Sequence, residues 1–161
     1  MASTRSFELF ADYFQFYIQD ESSDGDLSNA WTDQATADLV ALAPGVIGVG
    51  TARNMDVPVT IEIHDAEPSL SLDAWDQVAE CDIAVPSGKL IVAGCTDYLR
   101  DAARISVPSG QYRARLLYAG LNTLSADGLD GADHYTVQLW RAPAQGLRIL
   151  KRDAAPPRGG V

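Results

Sequence analysis

A chain of 161 residues with 47% hydrophobic and 21% charged residues has the composition of a globular protein and the length of one domain with a sizeable core. Twelve basic residues stand against 22 acidic ones, a net charge of −10 that disfavours nucleic acid and anionic membranes and suits a basic protein partner. No apolar run is long enough to span a bilayer, and "MASTRSFELFADYF" lacks a secretory apolar stretch, so the expectation is a cytoplasmic protein.

Two cysteines, Cys81 and Cys95, fit a reducing compartment. The charge is unevenly placed. Residues 1–82 carry sixteen acids against Arg5 and Arg53, a balance of −14. Residues 83–161 carry six acids against ten bases, a balance of +4.

In "FELFADYFQFYIQ" (7–19), Phe7, Leu9 and Ala11 share one parity, and the apolar phase then moves to Phe14, Phe16 and Ile18. Side chains alternate along a strand, so the shift predicts one strand with a bulge.

"DESSDGD" (20–26) begins like a calcium loop, with Asp20, Ser22 and Asp24 at positions one, three and five and Gly25 at six. Such a loop needs a bidentate carboxylate at position twelve and a helix on either side. Position twelve is Trp31, and the preceding segment reads as a strand. The motif fails, leaving an acidic loop.

In "WTDQATADLVALAPG", Thr32 suits an N-cap, Asp33 a first turn, and Pro44-Gly45 a stop. Ala35, Leu39 and Leu42 recur at helical spacing, which predicts a helix over 33–42. Residues 46–53 and 57–65 read as strands. In the second, Val57, Val59, Ile61 and Ile63 share the buried face, and Pro58 predicts an edge or a strand start.

"DIAVPSGKL" (82–90) and "RISVPSGQY" (104–112) repeat one pattern. Pro and Gly at those turn positions predict two hairpins, joining 76–85 to 89–95 and 103–107 to 111–119. Residues 134–140 and 147–151 complete the strands. The predicted fold is an all-β, antiparallel β-sandwich of about seven or eight strands with one short helix. It forms a single domain over 1–150, with 151–161 as a disordered tail. A small open barrel is the alternative.

The remaining chemistry is sparse. His64 and Glu62 share an outward parity and form a candidate acid–base pair. Cys81 reads as a buried hydrophobe, and a pairing with Cys95 is not suggested by their placement. "GVIGVG" lacks the phosphate-loop glycine order, and no Gly-x-Ser-x-Gly elbow occurs. Arg113 and Arg115 read as outward residues paired weakly with surface acids. Trp31, Trp75 and Trp140 suit the core or a ligand groove. "DGLDGAD" (127–133) is a second acidic turn. No metal or cofactor is expected.

Several ordered segments resemble the competence protein J group, small acidic bacterial proteins that include an inhibitor of a DNA-entry nuclease. They are "YFQFYIQD" (13–20), "WTD" (31–33), "APGVIGV" (43–49), "VPSGQYRAR" (107–115) and "ADHYTVQLW" (132–140). The matching positions are folding residues, so no functional residue carries over. The resemblance implies a non-enzymatic module that inhibits a basic nuclease or toxin. On that reading Asp20, Glu21, Asp24, Asp26, Asp127, Asp130 and Asp133 form the partner-facing acids. The rival expectation is a sandwich that binds a small molecule or carbohydrate through exposed Trp or Tyr.

Overall fold

The computed structural model describes residues 2–153. Eleven strands and one α-helix are present among them: β1 (Ser3–Phe10), β2 (Gln15–Asp20), α1 (Asp33–Asp38), β3 (Val40–Ala43), β4 (Val46–Gly50), β5 (Asp56–His64), β6 (Gln77–Val85), β7 (Lys89–Gly94), β8 (Ala103–Ser106), β9 (Gly110–Ala119), β10 (His134–Arg141) and β11 (Arg148–Lys151). They form a β-sandwich. The first sheet has the order β1-β5-β10-β9-β6-β11 and the second β3-β4-β2-β7-β8. The expected disordered tail falls largely on residues 154–161, which lie outside the described residues.

The ladders are antiparallel except β5–β10, which runs parallel from Tyr135↔Val59 to Trp140↔His64. That parallel ladder makes β5 an inner strand. Pro58, third in β5 and paired with Glu8 of β1, is tolerated because it lies one residue before the β10 ladder starts, where β5 has a neighbour on one side only.

Alternation decides what is buried. Phe16, Ile18, Ile47, Val49, Leu90 and Val92 of the second sheet meet Val59, Ile61, Ala79, Cys81, Leu116 and Val137 of the first. Each of these residues is almost fully buried, which is the dominant stabilising term.

The phase shift in 7–19 is a change of sheet and not a bulge. β1 ends at Phe10 in the first sheet, a 3-10 turn over Asp12–Phe14 intervenes, and β2 starts in the second. Tyr13 and Phe14 both take positive φ there, 58° and 60°. That left-handed geometry is unfavourable for side chains of this kind, and it lets the chain reverse its inward parity within a few residues.

Thr32 caps α1 as expected, accepting the Ala35 N–H at 3.1 Å. The helix stops at Asp38, short of the predicted 42. Leu39 adopts φ 61°, and Val40–Ala43 pairs with β4 as β3. Its freed carbonyls are taken by the first sheet: Gln77 Nε2 donates to Asp38 O and the Tyr118 hydroxyl to Leu39 O, both at 2.6 Å.

The two Pro-Ser-Gly turns are corners and not hairpins. β6 pairs with β9 in the first sheet, while β7 pairs with β8 in the second. Each turn carries one strand of that ribbon across the edge of the sandwich. Gly88, at φ 71°, makes the first corner, and its carbonyl accepts the Val107 N–H at 2.9 Å, which holds the corners side by side.

Candidate functional site

β2 sends Phe16 and Ile18 into the core, so Gln15, Tyr17 and Gln19 face outward from the second sheet. The acidic segment after β2 runs back across this face. Leu27 and Trp31 settle over Gly48, where a Cβ would lie 2.9 Å from Leu27 Cδ1 and 3.0 Å from Trp31 Cζ2, so the contact requires a glycine. Trp31 Nε1 donates to Gln15 Oε1 at 2.9 Å.

Cys95 and Leu99, from the β7–β8 connection, stand on the opposite flank. Between the flanks is an open groove of about 600 Å³, floored by Gln15, Tyr17 and Gln19. Among the described residues, the only charged ones that line it are Asp24 and Asp26, both exposed. Glu21 lies outside the lining and pairs with Arg104 at 2.6 Å. Arg104 also donates to Leu99 O at 2.8 Å and Ala102 O at 2.9 Å, so one guanidinium joins the acidic segment to the opposite flank.

The segment is held at its root by Asp20, which is 1% exposed. The carboxylate accepts the Ser87 hydroxyl at 2.6 Å, the N–H groups of Ser87 and Ser22 at 3.2 Å each, and the Ser22 hydroxyl. Burial acts to raise the Asp20 pKa, but the hydrogen bonds outweigh it and hold the carboxyl below its ordinary value. Further along, Ser23 Oγ donates to Pro44 O at 2.6 Å and accepts from Gly25 N at 2.9 Å. Asp26 Oδ1 accepts the Ser28 N–H at 2.8 Å. Among the described residues, neither Asp24 nor Asp26 has a cationic partner.

The second acidic turn is elsewhere. Asp20 closes β2 beside the corner at Ser87, whereas Asp133 is tied to Arg53, which follows the other end of β4. The structure therefore separates the two groups of acids. Asp133 is fully buried, with Arg53 Nε and the Tyr135 hydroxyl each donating at 2.5 Å. Burial, then the Asp133 charge, pushes the Tyr135 phenol far up. Asp127 is exposed, and the Ser125 hydroxyl at 2.6 Å and the Leu129 N–H at 3.0 Å lower its pKa. Asp130 is exposed beside it. Of the seven acids, Glu21, Asp24, Asp26, Asp127 and Asp130 face outward, and Asp20 and Asp133 face inward.

Arg113 and Arg115 correct the surface expectation. They lie on the outer face of the first sheet yet are 0% and 2% exposed, because the connections around 67–68 and 146 cover them. Arg115 donates to Glu80 at 2.9 Å, Glu67 at 3.2 Å and Gln138 at 3.1 Å, and stacks 4.9 Å from the Trp140 ring. Arg113 bonds Asp82 at 2.8 Å. The His64–Glu62 pair, 2.7 Å apart, continues the same row: Gln138 Nε2 donates to Glu62 Oε1 at 3.1 Å. This is a structural ladder of charge-assisted bonds across the sheet.

Both cysteines are free thiols. Burial drives Cys81 up to about 12, and burial followed by Asp12 raises Cys95. Among the described residues, no three His, Cys, Asp or Glu side chains are grouped to hold a metal ion. No helix among them is long and apolar enough to cross a membrane.

The groove floor was missed in the sequence. Its signal is the parity of Gln15, Tyr17 and Gln19, opposite to that of Phe16 and Ile18.

The fold is that of the competence protein J group. It is similar to the crystal structure of ComJ, inhibitor of the DNA degrading activity of NucA, from Bacillus subtilis, with a TM-score of 0.69 and 17% identity over 88% of this chain and 99% of that one. It is also similar to crocagin biosynthetic gene J, with a TM-score of 0.60 and 14% identity over 89% of this chain and 99% of the other. No family model matches the chain, and no curated protein matches it in sequence.

Proposed function

We propose that this chain is a non-enzymatic, cytoplasmic protein-binding module that inhibits a basic partner, a nuclease or a toxin, without a cofactor. The observation that carries the reading is the likeness to ComJ, a nuclease inhibitor, over 88% of this chain. Two features support it. The outward acids Glu21, Asp24, Asp26, Asp127 and Asp130 can steer a cationic protein and fix its orientation. On this reading the His64–Glu62 pair, bonded in turn to Gln138, has a structural role in the row across the first sheet. The free thiols suit a reducing compartment.

Trp31 and Tyr17 in one groove favour a second reading, a small-molecule or sugar site. One experiment separates the two. Immobilised protein is exposed to lysate of the source organism at low and at moderate salt, and what elutes is identified and purified. The inhibitor reading expects a single basic protein that rebinds the purified chain with one-to-one stoichiometry and is released as salt rises. Retention of no protein at either salt, together with Trp fluorescence shifts on adding oligosaccharides, overturns it.

A further inference from the structure

We propose that the groove on the outer face of the second sheet is the partner site, and that it receives an extended segment carrying Lys or Arg from a basic protein. This rests on the inhibitor reading above and narrows it to one surface.

Charge selects the occupant. Asp24 and Asp26 are the only charged residues lining the groove, and neither is paired with a cation among the described residues. Among the described lining residues a cation entering there meets two carboxylates and no base, and Arg104 at the rim is already paired with Glu21. The walls suit the rest of such a side chain. Leu27, Leu99 and Trp31 offer apolar surface for a Lys or Arg stem, while the Tyr17 and Trp31 rings can face the cationic head.

Size selects its form. At about 600 Å³ the groove holds a few side chains and not a folded domain, so the partner must reach in with a loop or an extended strand. The site is also built in advance. Asp20, Ser23, Gly48 and Arg104 each fix part of its rim or floor, so little ordering is left to be done on binding. The other acidic turn lacks these features. The hollow beside Asp127 is about 350 Å³, has no aromatic lining, and its carboxylate is committed to Ser125 and Leu129.

The test uses the intact protein and a capped hexapeptide of alternating Lys and Arg, with a Gln hexapeptide as control and maltohexaose as the competing ligand. Binding is followed by Trp fluorescence and by backbone and indole NMR shifts at low salt. The expected result is saturable one-to-one binding of the cationic peptide, with shifts centred on Tyr17, Leu27 and the Trp31 indole. Asp24→Asn with Asp26→Asn should weaken it about tenfold or more, and Asp127→Asn with Asp130→Asn by less than about twofold. Leu99→Lys keeps both acids, places a cation of the protein's own at the groove, and should block the peptide equally.

Equal losses from both acidic pairs, or no effect of Leu99→Lys, overturn the groove while leaving a general acidic binding face intact. Failure of the peptide to bind at all overturns the groove and leaves the inhibitor reading to the lysate experiment above. Maltohexaose binding that shifts the same residues, with the peptide excluded, assigns the groove to sugar instead.

Discussion

The carboxylate of Asp20 accepts both the hydroxyl of Ser87, at 2.6 Å, and its backbone N–H, at 3.2 Å, across a sequence separation of 67 residues. One end of the acidic segment is thereby fastened to the corner through which β6 becomes β7. Asp20→Asn keeps the shape but offers an amide where the two serines need only acceptors. It should cost about 1–3 kcal/mol in urea unfolding at neutral pH, and it should loosen the groove rim.

The same bonds set an acid dependence. Asp20 and Asp82 both titrate below the ordinary Asp value when folded: in each, burial works upward and hydrogen bonds outweigh it. A carboxyl with a lower folded than unfolded pKa holds fewer protons in the fold. It stabilises the protein at every pH above the unfolded value of ~3.9, and that contribution is lost as pH falls through the folded value. Stability should therefore be flat from about pH 7 to 5 and drop below that. Asp20→Asn should flatten the drop, as read from unfolding midpoints across the series.

The buried ladder on the first sheet should behave unlike a surface ion pair. Arg115→Met leaves buried Glu80, which is 7% exposed, with only its longer 3.5 Å contact to Arg113, and should cost about 3–5 kcal/mol. Adding Glu80→Leu removes the under-paired charge, leaves Arg113 its bond to Asp82 at 2.8 Å, and should restore most of that loss. A denaturant series on the single and double variants checks it, and a double variant no more stable than the single would contradict the buried-charge account.

Asp133 and Asp127 belong to one turn yet should give opposite phenotypes. Asp133→Asn disrupts the contacts with Arg53 and Tyr135 in the interior and should destabilise the fold by about 2–4 kcal/mol. Asp127→Asn lies at the surface and should change stability by less than about 1 kcal/mol. Thermal melts of the two variants read the difference.

Thiol labelling gives a further check. Cys81 is fully buried and its pKa is pushed up to about 12, whereas Cys95 is half-buried with a smaller rise. The thiolate is the reactive form. A disulfide reagent at neutral pH should modify Cys95 slowly in the folded protein, and Cys81 only after unfolding.

Local signals in the sequence were legible wherever the cause was local. Thr32 caps α1, most strands lie close to their predicted positions, and the alternation of Val57, Val59 and Ile61 marks the core face of β5. What depended on distant partners was not legible. A Pro-Ser-Gly turn has the same local chemistry in a hairpin and in a corner, and only packing of β6–β9 against β7–β8 decides between them. Arg113 and Arg115 are spaced like outward residues, and nothing nearby in sequence shows that residues 67–68 and 146 will cover them. The acidic loop was visible as acid, but the burial of Asp20 depends on Ser87 and that of Asp133 on Arg53.

The most direct test of an inhibitor is inhibition. A basic nuclease retained from the source organism is assayed for degradation of supercoiled plasmid while purified protein is titrated in, for the wild type and for Asp24→Asn with Asp26→Asn. The account predicts that cleavage stops at a one-to-one ratio with the wild type, and that the variant requires a large excess or stops nothing. Full cleavage in the presence of excess wild-type protein, with both proteins folded, would contradict it.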